Sequence, residues 1–304
     1  MSPVVDALIP IAGVIALGWG LRRSGLVAAE LWAGVNRLAY QALLPALLFS
    51  TISRADYASL PAGPFLIAVT LGFLAMGAIA LCLRVLPVDG PGYTSLFQGA
   101  VRWNGFVLLA LAGSAFGAEG EALAALVFAP TVPLINIMCV AVLTIWGASA
   151  MKPDARRVAL RIITNPLIIA CLAGAAANAL QLFQTGPVAD TAELAGRAAL
   201  PLILLCVGAG LDFTALKTRP SLLTLAVTLK LIVAPLVFYA LGRMLGVEGL
   251  ALTILTAVGA TPGAVASYVL ARELGGDARL TAGHVTATTL LAFLSLPFWI
   301  AFAS

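Results

Sequence analysis

The chain has 304 residues, of which 62% are hydrophobic and only 10% are charged, and its mean hydropathy is +1.06. A soluble domain has about 25% charged residues, so the composition excludes a water-soluble globular protein and indicates one that is embedded in a lipid bilayer. The net charge of +4 does not indicate nucleic acid as a partner, because most of the basic residues lie in loops between apolar segments, as in membrane proteins.

Ten apolar segments follow one another along the chain. They predict helices near 4–21, 34–52, 64–86, 93–117, 121–147, 162–183, 191–211, 221–242, 249–271 and 280–302. About 20 residues suffice for a helix to cross the hydrocarbon core. The sequence therefore predicts an all-α integral membrane protein with ten transmembrane helices, in which a basic loop at 148–161 separates a first set of five at 1–147 from a second set at 162–304.

Basic residues are distributed unequally between the two sides of this arrangement. Loops with odd numbers contain Arg22, Arg23, Arg37, Arg84, Lys152, Arg156, Arg157, Arg161, Lys217, Arg219, Arg272 and Arg279, whereas loops with even numbers contain only Arg54, Arg197 and Arg243. Cytoplasmic loops are enriched in Lys and Arg. This pattern predicts a multi-pass protein of the plasma membrane, which is the inner membrane in a bacterium, with both termini outside the cytoplasm.

Prolines indicate that the two sets of five helices are repeats. Pro10 and Pro45 are 35 residues apart, and so are Pro166 and Pro201. Because five is an odd number, the second repeat must have the opposite orientation in the membrane. Inverted repeats with interrupted helices are typical of secondary transporters, whose binding sites lie near the middle of the bilayer.

The fourth and ninth segments each contain residues that interrupt helices. Asn104-Gly105 in the fourth stands 158 positions before Pro262-Gly263 in the ninth, and Thr261 precedes that proline. Asn and Gly are poor helix formers, and Pro has no backbone N–H. We therefore predict that both helices break and cross, and that backbone groups freed at Asn104, Gly105, Thr261, Pro262 and Gly263 bind a ligand. A simple packing kink is the alternative.

Two cations lie near the middle of predicted helices, Arg102 in the fourth and Lys230 in the eighth. A charge at the centre of a membrane helix costs about 2.5–3.5 kcal/mol on insertion scales, so it indicates a functional position. Because no acidic residue lies near the centre of any segment, we predict that these cations attract an anionic substrate. The alternative is that their side chains extend to the interface or bind carbonyl groups.

Polar residues elsewhere in the segments are weaker candidates. Asn36 and Tyr40 could share one face of the second helix and are included in the predicted substrate site. His284, the only histidine of the chain, could relay protons, although a structural role is favoured for it. The four cysteines have neither metal-ligand nor disulfide spacing, and we expect no metal, no cofactor and no catalytic residue.

Several of these motifs resemble the auxin efflux carrier family, in the wider superfamily of bile-acid/sodium symporters and PIN-like transporters. The similar stretches are Asn36-Arg37-Leu38-Ala39-Tyr40, Leu44-Pro45-Ala46-Leu47-Leu48-Phe49, Arg102-Trp103-Asn104, and Thr261 to Ala271 continuing into Gly275-Gly276-Asp277. One difference is Leu109-Ala110, where many members have a proline just after the break in the fourth helix. The resemblance spans nearly the whole chain and implies ten helices, termini outside and small organic anions such as malonate, malate, lactate or auxin. Plant members form dimers, so a homodimer is a further expectation.

The function predicted from these observations is secondary transport, by efflux or uptake, of small mono- or dicarboxylates by alternating access, with a proton or sodium as the coupling ion. A cation or proton antiporter on the same scaffold is the nearest alternative, but it would need central carboxylates. An intramembrane enzyme is the alternative from another class. Gly113-Ser114-Ala115 faintly resembles a nucleophile motif, but no acidic residue supports His284 in a triad.

Overall fold

A computed structural model of the chain describes residues 3–56, 62–148, 154, 156, 159–160 and 163–304, and the regular structure of these residues is entirely helical. The basic loop predicted at 148–161 lies largely outside the described residues. The division of the chain into two five-helix repeats, 1–147 and 162–304, stays a prediction.

Seven α-helices precede that loop and eight follow it in the described ranges. The first group is α1 Pro3–Arg23, α2 Leu31–Leu38, α3 Leu44–Ser53, α4 Ala62–Cys82, α5 Gly90–Val101, α6 Gly105–Leu126 and α7 Phe128–Trp146. The second group is α8 Pro166–Ala179, α9 Pro187–Arg197, α10 Ala199–Ala209, α11 Pro220–Thr228, α12 Ala234–Met244, α13 Gly249–Ala260, α14 Ala266–Leu274 and α15 Ala278–Ala303. Short 3₁₀ turns lie at Leu83–Val85 and Phe213–Lys217.

Six helical stretches of the described residues are long and apolar enough to cross a membrane. They are Pro3–Arg23, Ala62–Val85, Gly90–Trp146, Pro187–Ala209, Pro220–Met244 and Ala278–Ala303. Large apolar side chains on them are exposed, among them Leu74 of α4 and Leu294 and Phe298 of α15. Such a surface suits lipid and not water, so the chain is a multi-pass membrane protein.

The boundary predicted between the fourth and fifth segments lies inside α6. The fourth segment was expected to end at 117 and the fifth to start at 121, and Gly117 interrupts the helix with the non-helical values φ +64° and ψ −156°. Glycine adopts this conformation without steric cost. The sequence thus located this interruption correctly, and a shorter helical stretch continues beyond it to Leu126.

Two π-helical turns precede prolines, at Ala39–Leu43 before Pro45 and at Leu229–Val233 before Pro235. Proline cannot donate a hydrogen bond to the carbonyl four residues earlier. For Pro235 that carbonyl belongs to Leu231, and the indole Nε1 of Trp299 donates to it at 2.8 Å. The second π turn is therefore fixed to α15 by a side chain from that helix.

The chain divides into two compact units. The first consists of Met1–Ala62, Phe106–Val132 and Arg161–Gly210. Within it α1 packs on α10, and α3 packs on α8 and α9. A Cβ added at Gly208 would lie 1.8 Å from the carbonyl oxygen of Ile15. The backbones of α1 and α10 therefore touch, which is the close approach that small residues permit between membrane helices.

The second unit consists of Gly63–Gly105, Pro133–Leu160 and Leu211–Ser304. Within it α13 packs on α12 and α15, and α5 packs on α11 and α15. The fully buried rings of Phe73 and Phe238 meet edge to face at 5.0 Å between centroids. This unit contains both predicted breaks.

Candidate functional site

The first break separates α5 from α6. Helix α5 ends at Val101, Arg102 has the extended values φ −81° and ψ 135°, and α6 begins at Gly105. Asn104 and Gly105 favour this interruption because neither residue supports a helix interior. Backbone groups at the ends of both helices consequently lack their usual intrahelical partners.

The second break separates α13 from α14. Helix α13 ends at Ala260, Thr261 has ψ 152°, and α14 begins at Ala266. A residue before proline avoids the helical region, so Pro262 accounts for the extended conformation of Thr261. Both interruptions thus lie at the residues that the sequence predicts.

The two breaks touch each other inside the second unit. The backbone N–H of Asn104 donates to the carbonyl of Pro262 at 2.9 Å. The next N–H along the second break, that of Gly263, donates to Oγ1 of Thr288 on α15 at 3.0 Å. Three elements therefore meet at this point, and two backbone amides of the breaks are held by defined acceptors.

Arg102 is buried beside this contact, with 8% of its surface exposed. Its Nη2 donates to Oδ1 of Asn136 on α7 at 2.8 Å, and Cys139, one turn later, also contacts the guanidinium. Both partners are uncharged, and among the described residues no carboxylate forms an ion pair with Arg102. Its Nε has no hydrogen-bond partner there. The arginine thus retains both its full charge and a donor for a further group.

Lys230 lies in the same unit but has different neighbours. It occupies the π turn at Leu229–Val233 and is 1% exposed. Its electrostatic neighbour is His284 of α15. The structure thus brings Lys230 to His284, whereas Arg102 is held by Asn136 and Cys139.

Asn36 and Tyr40 belong to the first unit, whereas the other predicted site residues belong to the second. Asn36 is exposed on α2. The hydroxyl of Tyr40 accepts a hydrogen bond from Nδ2 of Asn165 at 3.3 Å, and the side chain of Asn165 caps α8. For Tyr40 these contacts indicate a structural role, and its part in a substrate site stays a prediction.

Several polar residues near the breaks were not included in the site predicted from sequence. Gln98 is fully buried on α5, and neither polar atom of its amide has a partner among the described residues. Asn136 and Thr288 hold Arg102 and Gly263. The only sequence signal for these three residues is a polar side chain within an apolar segment. Because interhelical hydrogen bonding accounts for most such residues, the sequence does not distinguish these three from other polar residues in the membrane helices.

Glu121 is a carboxylate within the first unit that the sequence analysis placed at a helix boundary. It lies inside α6, and its Oε1 accepts a hydrogen bond from Oγ1 of Thr51 on α3 at 3.1 Å. A Cβ at Gly113 would lie 3.3 Å from its Oε2. Glu121 therefore belongs to a polar contact between α3 and α6.

An ion-pair cluster fixes one end of the second unit. Arg219, just before α11, pairs with Asp89 and lies 3.4 Å from the carboxylate of Asp277. Asp89 caps the start of α5 and Asp277 caps the start of α15. The hydrogen bond from Arg219 lowers the pKa of Asp89, and the same bond raises the pKa of Arg219. The cluster thereby positions the start of α5, which ends just before Arg102, and the start of α15, which contains Thr288.

A model of the membrane transport protein family, Mem_trans, matches residues 3–300. The chain belongs to this family. The match confirms the resemblance to auxin efflux carriers seen in the sequence motifs, and it makes the chain a membrane transporter.

Two relatives match this family member over nearly its whole length. An uncharacterized transporter of Methanothermobacter thermautotrophicus is 26% identical over 298 residues, which cover 97% of this chain and 96% of the relative. A protein of Rhizobium meliloti, whose name proposes it as a malonate transporter, is 27% identical over 301 residues, which cover 96% of this chain and 93% of the relative.

Proposed function

We propose that the chain is a secondary transporter that moves small organic anions, mono- or dicarboxylates, across the plasma membrane by alternating access. The observation that supports this most strongly is Arg102, a buried cation that has only uncharged partners and lies at the contact between two broken helices. A buried charge is normally paired. An anionic substrate would supply the missing partner.

The chemistry of the break suits a carboxylate. A guanidinium presents several N–H groups in a plane that matches the two oxygens of a carboxylate. One of these groups, Nε, is without a partner among the described residues. Helix α14 begins at the second break, and the N-terminus of a helix favours negative charge. The substrate would thus be attracted by Arg102 and oriented by Asn104, Gly105 and the segment Thr261–Gly263.

The proposed architecture has ten transmembrane helices in two inverted repeats, 1–147 and 162–304, with both termini outside. In its support, α5 and α13, the helices that precede the breaks, each have 12 residues. The excess of basic residues in alternate loops gives the orientation. A reporter that is active only outside the cytoplasm should function when fused after Ser304, and cytoplasmic activity of that fusion would contradict the orientation.

Malonate is the first probe for this proposal. The name of the Rhizobium meliloti relative proposes malonate for that protein, and malonate combines a small size with two carboxylates. Binding to purified wild-type protein should be measured by titration calorimetry, followed by uptake into liposomes. Malate and lactate extend the panel. If none of the three binds or enters liposomes, the proposed substrate class is wrong.

Replacing one arginine tests the role of the charge. Arg102→Gln keeps a polar side chain but removes the positive charge. Because hydrogen bonds to charged groups contribute about 1.5–3 kcal/mol, malonate affinity should fall about tenfold to a hundredfold. Arg243→Gln is the matched control, since Arg243 is exposed at the end of α12 in the same unit, and it should leave the affinity unchanged. Equal affinities of Arg102→Gln and wild type would show that Arg102 is structural.

A further inference from the structure

The ring of His284 lies between the two broken segments. A Cβ added at Gly99 of α5 would lie 3.2 Å from Cδ2 and Nε2 of this ring, and one added at Gly263 would lie 2.8 Å from Cε1 and Nδ1. Both glycines therefore leave space that the imidazole fills. The ring therefore lies against the backbone beside each break.

One nitrogen of His284 is available for a proton. The ring forms a hydrogen bond with the backbone of Ala226 on α11, and its Nε2 has no partner among the described residues. The bond to Ala226 therefore belongs to Nδ1, and in the neutral ring the lone pair is on Nε2. An imidazole that is 2% exposed with an unused acceptor is unusual, because buried polar atoms are generally hydrogen-bonded.

Lys230 is the second base beside this ring. It interacts electrostatically with His284, and the bond from Trp299 to Leu231 fixes the π turn of Lys230 to the helix that contains the histidine. Isolated π turns occur often at functional sites. In the described part of the chain, no carboxylate forms an ion pair with Lys230. Two positive charges this close and this deeply buried are unfavourable, so the pair can hold one proton but not two.

Other ionisable groups on the helices packed around the pair do not neutralise it. These helices and the caps at their ends contribute Asp89, Tyr93, Arg102, Asp212, Lys217, Arg219, Tyr239, Arg243, Glu248, Tyr268, Arg272, Glu273, Asp277 and Arg279. The Tyr93 hydroxyl donates to the carbonyl of Ala80, and Arg272 lies over the ring of Tyr268. The electrostatic neighbour of His284 among the described residues is Lys230. Because no described group balances a positive charge on the pair, burial favours the neutral pair until an additional anion arrives.

We propose that Lys230 and His284 form a proton-binding site that takes up one proton when an anion binds at the breaks. This rests on the proposed function and adds the coupling ion to it. The proton comes from water on the side from which the anion enters and binds the lone pair of Lys230 Nζ or His284 Nε2. It leaves when the anion leaves. The negative charge of the anion stabilises the protonated pair, and by linkage the protonated pair strengthens anion binding.

The number of protons taken up for each bound malonate is the direct test. Titration calorimetry near pH 7 in buffers with different heats of ionisation gives this number for the purified, full-length protein. The count refers to bound malonate, so a change of affinity does not alter it. Wild type should take up one proton. Lys217→Arg is the matched control, since Lys217 is exposed on a 3₁₀ turn of the same unit, and it should also take up one proton.

One substitution of Lys230 fixes the charge of the pair. Lys230→Arg keeps a permanent positive charge beside His284, so no second proton can bind the pair and the count should fall to zero. Because His284 is the only histidine, ¹⁵N-histidine labelling adds a spectrum with one imidazole. The signals of this imidazole should shift when malonate binds to the wild type. The measurement uses the wild-type protein alone, so it does not depend on whether a variant folds.

The outcomes separate the two proposals. If malonate binds to wild type without proton uptake, or if Lys230→Arg still takes up a proton, the proton site is wrong while the anion transporter stands. If malonate, malate and lactate all fail to bind to wild type, the proposed substrate class fails and the proton site falls with it.

Discussion

The two broken segments of the second unit have similar geometry but different chemistry. The first break carries a charge at Arg102 and donates the N–H of Asn104, whereas the second contributes the carbonyl of Pro262 and the N–H of Gly263 but no charged side chain. In the proposed function, the first break attracts the anion, and the second shapes and orients the space around it. Two breaks of similar geometry need not have equivalent chemistry.

The helices that lead to the breaks also differ in how closely they are packed. On α13, a Cβ at Gly259 would lie 2.7 Å from the backbone N and Cα of Pro235 on α12, whereas on α5 a Cβ at Gly99 would meet the side chain of His284 at 3.2 Å. A side chain can move by a few tenths of an ångström more easily than a backbone can. We therefore expect the second segment to tolerate added volume less well than the first.

The largest expected effect is that of Gly259→Ala. Overpacking of a core costs about 1–3 kcal/mol, and contact with backbone should place this substitution at the upper end. In detergent, Gly259→Ala should clearly lower the temperature of thermal unfolding, and Gly99→Ala should lower it less. Gly13→Ala should leave the unfolding temperature unchanged, because an added Cβ there meets nothing within 4 Å. If Gly99→Ala is the most harmful of the three, the proposed difference between the segments is wrong.

The second expected effect concerns how the second break is held. Thr288→Val removes the hydroxyl that accepts the N–H of Gly263, and a buried donor without an acceptor costs about 1–3 kcal/mol. Thr289→Val is the control, because Thr289 is equally buried on the same helix but its hydroxyl bonds only to Val285 within that helix. Thermal unfolding should distinguish the two variants. If both variants lower the unfolding temperature by similar amounts, the hydrogen bond between Thr288 and Gly263 contributes little to stability.

The smallest expected effect concerns the starts of the two helices. The side chain of Asp89 caps α5 and pairs with Arg219, whereas Glu248 before α13 makes no side-chain cap bond. The pKa of Asp89 is lowered in the folded protein. The contribution of its carboxylate to the free energy of unfolding is therefore present above the usual aspartate pKa of about 3.9, and it is lost as the pH falls through the folded pKa. Because the Asp89 side chain is 52% exposed, solvent screening limits the effect to roughly 1 kcal/mol or less.

Asp89→Asn and Glu248→Gln compare these two helix starts. At pH 7, Asp89→Asn should lower the unfolding temperature slightly and Glu248→Gln should not. The difference between wild type and Asp89→Asn should shrink as the pH is lowered below about 4. A difference that stays constant from neutral to acid pH would show that the ion pair with Arg219 does not stabilise α5.

Local chemistry made the breaks predictable. Proline removes a hydrogen-bond donor, and Asn-Gly disfavours a helix whatever surrounds it, so both interruptions could be located from the sequence. The membrane class followed in the same way, because an apolar composition leaves no aqueous alternative. The orientation of the termini and the inverted repeat are equally local inferences from charge and spacing, and they stay predictions.

The partners of the buried polar side chains were decided by tertiary structure alone. Nothing near Arg102 in the sequence specifies Asn136 and Cys139 as its neighbours, and nothing near Lys230 specifies His284, which is on another helix. Tyr40 and Asn36 fit the pattern of a site equally well, yet Tyr40 bonds to the residue that caps α8 and Asn36 is exposed. Contacts between side chains depend on which helix faces are brought together, and that is set by the packing of the whole unit, which no single segment encodes.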